Sequence, residues 1–296
     1  MSILIVGADR QMRSAISLLL LGAAIFLMKP EASAQKPLLV CPAPKGERQV
    51  RQISGYTVRL SSSSVRGNRC YATVTPPGSK TTTGKRVATD WAVSINALSG
   101  TDVNGDGKPD LIVQGYSGAA HCCYTYLVIN LTEGLPMVRE IRNQVPVIFK
   151  SRDDGRVELN TGEGVFDYFL VPHANSVIPK LFMRLDGDQL VDLSSEHTAD
   201  YDHEIEKARS ELTPEESDKL KKSTYSQGML FDQLPTVQKV LTIVLNYLYS
   251  GRQDQAWQAL DEMWPPADKE RVEKLILERR SRGMLSQTAD KPKAGL

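Results

Sequence analysis

The chain reads as an α+β protein: a mainly antiparallel N-terminal β domain, of sandwich or partial propeller-like type, followed by a C-terminal helical region. Three observations carry that reading. From Gln35 to about Ser194, short runs rich in Val, Ile, Thr and Tyr are separated by Gly, Pro, Asp or Ser clusters. After about Glu196 apolar residues recur at three- and four-residue steps between helix start and stop signals. The first 34 residues follow neither pattern. The expected organisation is 1–34, a signal peptide; 35–195, a β domain; 196–285, a helical domain; and 286–296, a disordered tail.

Residues 1–34 carry the marks of secretion. Arg10 and Arg13 form a basic start, and Ala15 to Met28 form an apolar run. Ala32-Ser33-Ala34 is an A-x-A cleavage site before Gln35. The run is shorter than the roughly 20 residues a spanning helix needs. A retained anchor is therefore the lesser reading, and no Cys stands at the cleavage point for a lipid. Cleavage removes three basic and two acidic residues from a chain of formal charge +1, leaving the two signs equal. With no basic block or basic–aromatic stripe, nucleic acid is excluded as a partner class. The expected location is periplasmic or extracellular, with no membrane span in the mature chain.

The β reading rests on apparent strands at 49–60, 69–75, 87–95, 111–115, 122–131, 145–150, 156–160, 165–171, 178–185 and 190–193. A seven-bladed propeller needs about 28 strands, so only a partial or compact relative fits.

Asp102-Val-Asn-Gly-Asp-Gly-Lys-Pro-Asp110 sits in the middle of this region. Oxygen side chains fall at loop positions 1, 3, 5 and 9: Asp102, Asn104, Asp106 and Asp110. Gly105 and Gly107 permit positive φ between them. Three carboxylates in nine residues repel one another, and Ca²⁺, which takes six to eight oxygens, relieves the crowding. An EF-hand would need a bidentate Glu at position 12, where this chain has Val113, and Pro109 with the following strand excludes an exiting helix. The nine-residue form running into Leu111-Ile-Val-Gln-Gly115 resembles the calcium loop of FG-GAP and VCBS repeats. That resemblance spans Thr101 to about Cys123 in a single copy. It implies Asp102, Asn104, Asp106, the Lys108 carbonyl and Asp110 as ligands. Asp153-Asp154-Gly155 and Asp186-Gly187-Asp188 lack the spacing and read as hairpin turns. Tyr116-Ser-Gly-Ala-Ala-His-Cys-Cys123 resembles a stretch that follows this loop in secreted bacterial proteins.

Cys41, Cys70, Cys122 and Cys123 survive cleavage, an even count that argues for disulfides in an oxidising compartment. Cys41–Cys70 with a vicinal Cys122–Cys123 bridge is one connectivity. In the alternatives, Cys122 and Cys123 each reach an N-terminal partner. His121-Cys122-Cys123 also admits a soft Cu or Zn site or redox chemistry, although three adjacent strand residues cannot all face one ion. Gly115-Tyr-Ser117-Gly118-Ala119 fails the G-x-S-x-G nucleophile elbow at its last position. His197 and His203 flank Asp200 and Asp202, but a spacing of six puts the histidines on different helical faces. His173 reads as an exposed loop residue. Glu163 and Asp167 are paired acids without a recognisable cleft.

In the C-terminal region Thr213-Pro214-Glu215-Glu216 is a capping box. Val237, Val240, Leu241, Val244, Leu245 and Leu248 form an apolar stripe that Gly251 ends. Gln253 to Trp264 and Lys269 to Arg282, capped by Asp268, complete the set. Leu245 to Ala256 resembles a tetratricopeptide hairpin, although such units normally stack in threes. The ordinary reading is a three-helix cap that buries its stripe on itself or on the β domain. The sharper one is a docking surface anchored by Trp257 and Trp264. The expected function is a secreted, calcium-binding, non-enzymatic module with a protein or glycan partner in the cell envelope. The alternative is an extracytoplasmic hydrolase with an active site marked by no motif.

Overall fold

The computed structural model describes residues 36–43, 49–63, 69–80, 84–223 and 233–288. The expected signal peptide lies outside them. Residues 35–296 make one compact unit. Its described residues form three antiparallel sheets and five α-helices.

The central sheet has the order β1-β6-β7-β8-β9: β1 (Leu39–Cys41), β6 (Ala92–Ile95), β7 (Asp110–Ala119), β8 (Cys122–Asn130) and β9 (Met137–Asn143). A second sheet is the meander β2 (Val50–Ile53), β3 (Tyr56–Ser63), β4 (Arg69–Thr75) and β5 (Lys85–Asp90). The third is the meander β10 (Ile148–Ser151), β11 (Val157–Gly162), β12 (Lys180–Asp186) and β13 (Gln189–Asp192). Because strand side chains alternate between faces, β7 divides its apolar residues between two cores. Leu111 and Val113 pack with Val58, Leu60, Ala72 and Val74 of the second sheet. Ile112 turns the other way and joins Leu159, Leu181 and Met183 of the third sheet. The arrangement matches the expected antiparallel β region, with sheets stacked and no closed barrel.

The helices complete the second of these cores. They are α1 (Thr198–Glu211), α2 (Pro214–Lys221), α3 (Leu234–Tyr249), α4 (Gln253–Met263) and α5 (Lys269–Arg280). The α3 stripe, Val237 to Leu248, is fully buried in the same cluster as β11 and β12. The capping box forms as expected: the Thr213 hydroxyl accepts the Glu216 amide, and the Glu216 carboxylate accepts the Thr213 amide.

Several elements differ from the expectation. The run 49–60 is two strands, because Ser54-Gly55 turns with positive φ at both residues. The run 87–95 breaks at Trp91, whose amide donates to the Asp90 carboxylate at 2.8 Å, and its halves enter different sheets. Residues 165–171 are not a strand. A 3-10 turn at Gly164–Phe166 puts Phe166 and Phe169 into the core, with positive φ at Tyr168 and Leu170. The polar stretch after Leu193 is packed on the third sheet: Ser194–His197 is a 3-10 turn with Ser194 buried and His197 stacked on Phe182 at 3.8 Å. Trp264 is no docking anchor. It is wholly buried, and its indole N–H donates to Asp268 at 3.0 Å. Trp257 is half-buried against the core. Ordered structure also continues past Ser286. Met284–Thr288 is a 3-10 turn whose Gln287 exchanges hydrogen bonds with the Arg142 backbone. The rest of the expected tail, 289–296, lies outside the described residues.

Candidate metal loop and disulfide tip

The Asp102–Asp110 segment is a loop closed on its own carboxylates, entering β7 at Asp110. Asp102 accepts the amides of Gly105 at 2.7 Å and Gly107 at 2.8 Å. Asp106 accepts the Lys108 amide at 2.9 Å and the Asn130 side-chain amide at 2.9 Å. Burial alone would raise the Asp106 carboxyl, and the hydrogen bonds from Asn130 and Lys108 outweigh it, holding it below the usual range. Gly105 and Gly107 take φ of +77° and +81°, as the loop requires.

Asp110 is different. It is 0% exposed; one oxygen accepts the Val103 amide at 2.9 Å, and the other is buried with no hydrogen-bond partner. Burial, reinforced by the charges of Asp106 and Asp102, pushes its carboxyl up to about 6. The Asn130 side-chain oxygen is likewise buried and unpartnered, and β7–β8 register puts Asn130 opposite Asp110. Two orphaned acceptor oxygens beside two further carboxylates fit a hard cation. Among the described residues no three His, Cys, Asp or Glu side chains converge into a ready metal cluster. The loop carboxylates here are occupied with loop amides, and a calcium loop draws also on amide and backbone carbonyl oxygens, which such a cluster leaves out. Sequence spacing could not find Asn130, since its role depends on hairpin register twenty residues downstream.

The loop also walls a cleft of about 260 Å³. Its other side is formed by Asp154, Arg156, Arg184 and Asp186. The two Asp/Gly turns that lack calcium-loop spacing thus gather beside the loop, and the Gly187 amide donates to the Asn104 carbonyl at 2.8 Å.

Of the three disulfide connectivities, the structure has Cys41–Cys70 and Cys122–Cys123. The first joins β1 of the central sheet to β4 of the second, with Cα atoms 5.8 Å apart. The second lies at the β7–β8 tip across a cis peptide bond. Ser117 braces it, donating to the Cys122 carbonyl and accepting the Cys123 amide, both at 2.8 Å. Ser117 is thereby committed to backbone. Around the tip stand Trp91, 50% exposed and edge-on to Tyr116, and Tyr168, 53% exposed.

The remaining candidates separate. Glu163 and Asp167 do not face each other's partners: Glu163 is buried against Tyr249 and Met284, whereas Asp167 holds His173 and Ser176. Because Ser176 donates to the acid and not to the imidazole, these three do not form a nucleophilic triad. His197 pairs with Glu158 at 3.1 Å and Asp200 at 3.5 Å, away from His203.

A family model of the FG-GAP repeat matches residues 95–121, covering β6 from Ile95, the loop, β7 and the hairpin turn. No curated protein and no solved structure matches the chain. Residues 95–121 are therefore similar to an FG-GAP repeat, a unit compatible with an extracellular binding module. Among the described residues no helix is long and apolar enough to cross a membrane.

Proposed function

We propose that the chain is an exported, non-enzymatic binding module whose FG-GAP loop takes Ca²⁺, and that its partner is a protein or glycan of the cell envelope. The observation that carries the metal is the buried, unpartnered oxygen of Asp110 within a loop of three carboxylates. Asp102, Asn104, Asp106, the Lys108 carbonyl and Asp110 would hold the ion, with Asn130 behind Asp106. Calcium would neutralise the loop charge and fix one wall of the cleft; it does no chemistry there. Export rests on the secretory features of residues 1–34 and on the disulfides, which belong to oxidising compartments. FG-GAP repeats often mediate protein interactions, which favours a binding role.

If the ion binds only the folded chain, calcium at a hundred times Kd adds about 2.7 kcal/mol of stability. Thermal melts in calcium and in EGTA should separate, and Asp106→Ala should remove most of the gap. Identical melts across calcium concentrations would sink the metal. Crosslinked pull-down from the envelope fraction, with and without chelator, then reads the partner.

A further inference from the structure

The hairpin tip carries a second group that the calcium reading leaves unused. His121, in the turn between β7 and β8, lies with its ring centroid 4.0 Å from that of His173, at an interplanar angle of 44°. His173 comes from a different part of the chain, the 3-10 turn His173–Asn175. Tyr168 packs against both rings, at 5.9 Å from His121 and 5.4 Å from His173.

Behind His173 stands Asp167, whose carboxylate is 2.7 Å from His173 Nδ1. It also accepts the Ser176 hydroxyl at 2.9 Å and the Tyr168 amide at 3.0 Å. Its side chain is only 9% exposed, whereas that of His173 is 46% exposed. Burial would push this carboxyl up, but the hydrogen bonds from His173 and Ser176 win and hold it below the usual range. A carboxylate on Nδ1 keeps the proton there and leaves the Nε2 lone pair free. It also makes the ring a better donor ligand, the support that metal-binding histidines have. A half-buried acid thus orients a surface imidazole, and a second imidazole lies against it with ring contacts.

We propose that His121 and His173 form a surface site for a late first-row divalent metal, tightest for Cu²⁺, with Asp167 as the positioning residue behind His173. Neutral imidazole suits Cu²⁺, Ni²⁺ and Zn²⁺, and the Irving–Williams order puts copper first. Cys122 and Cys123 are bonded to each other, so neither supplies a thiolate. The ion has two protein ligands and completes its shell with water. Binding requires the exposed His121 side chain to rotate so that its ring opens away from that of His173. The site is independent of the loop, whose carboxylate and carbonyl oxygens select hard ions.

The test titrates Cu²⁺ into the full chain held in saturating calcium, read by calorimetry and by electron paramagnetic resonance. One ion with nitrogen couplings from two imidazoles is expected. His121→Ala and His173→Ala should each weaken binding at least tenfold and remove one set of couplings. Asp167→Asn should weaken it about tenfold, as loss of a carboxylate behind a ligating histidine does. His203→Ala serves as the control and should change nothing. Should His173→Ala or Asp167→Asn fail to fold, His121→Ala, on an exposed turn, still decides. Unchanged affinity in His121→Ala, or couplings that vanish in His203→Ala, would overturn the site. Copper binding without any calcium effect would leave this site standing and the calcium loop refuted.

Discussion

Glu163 shows how one buried side chain couples the β region to the C-terminus. It is 0% exposed and accepts the Met284 amide at 2.7 Å and the Tyr249 hydroxyl at 3.3 Å. A Cβ on Gly283 would press on its carboxylate, so any other residue there would force that carboxylate to shift. Burial pushes its carboxyl from 4.5 up to about 7, against the pull of those hydrogen bonds and of Arg280. Between those values the folded chain holds a proton that the unfolded chain has lost. The stability contribution is therefore full below about 4.5 and is lost as pH rises through about 7. The loss is on the order of 3 kcal/mol at most. Glu163→Gln should flatten that part of the pH–stability curve and be the more stable form at pH 8, measured by denaturant unfolding. A parallel pH dependence in both proteins would refute the assignment. At this scale the turn of the loop was legible in sequence, because Asp102 holds the Gly105 and Gly107 amides and Asp106 holds the Lys108 amide within nine residues. Glu163, Asn130 and the Asp167–His173 pair were not, since their partners come from other elements and no spacing encodes them.

Among the elements, short β-branched and aromatic runs bounded by turn residues were legible. β4 falls at the expected residues, and β8, β12 and β13 nearly so. β9 was missed because Arg139, Glu140 and Arg142 make it look like a loop; Arg139 is nevertheless buried, donating to the Asp188 and Gln287 carbonyls. α1 falls inside the expected helical region, 196–285, although its charged sequence shows little periodicity and Tyr201, Ile205 and Ala208 alone carry its buried face. The helix stops and the capping box were legible because they depend on local backbone chemistry. Cys41–Cys70 is the covalent link between two sheets, closing a segment of 29 residues. By the chain-entropy argument such a loop is worth about 3–4 kcal/mol. Replacing both cysteines by serine should lower stability by about that amount and leave the calcium-dependent part of the melt intact. A loss under about 1 kcal/mol would mean that packing between β1 and β4 already fixes the sheets. Replacing Cys122 and Cys123, at an exposed tip, should cost far less.

For the molecule as a whole, the boundary between strands and helices was legible and its meaning was not. Secondary structure changes between Leu193 and Thr198, where the sequence turns polar. The core does not change there. Leu159, Leu181 and Met183 from the third sheet lie in one cluster with Tyr201, Val240, Val244 and Ile276 from the helices. Sequence patterns show that α3 has an apolar stripe but not which surface receives it, so a cap and a separate domain look alike. Each fully buried aliphatic side chain contributes about 1.5–3 kcal/mol. The six of the α3 stripe together then match or exceed the roughly 5–15 kcal/mol by which a domain is stable. A fragment of residues 35–195 loses all of that, and bares one face of β11 and β12 to water. It should therefore be insoluble or molten, with no cooperative melt, even though it keeps every calcium ligand and both disulfides. Co-expression with residues 196–296 as a separate chain should rescue it, because the missing surface is then supplied in trans. Limited proteolysis of the intact chain reads the same physics: the two pieces should remain associated on gel filtration after a cut near 194–200. A soluble 35–195 fragment with a sharp, calcium-dependent melt would show instead that the second sheet and the central sheet suffice. The helices would then be a separable layer on a self-sufficient β unit.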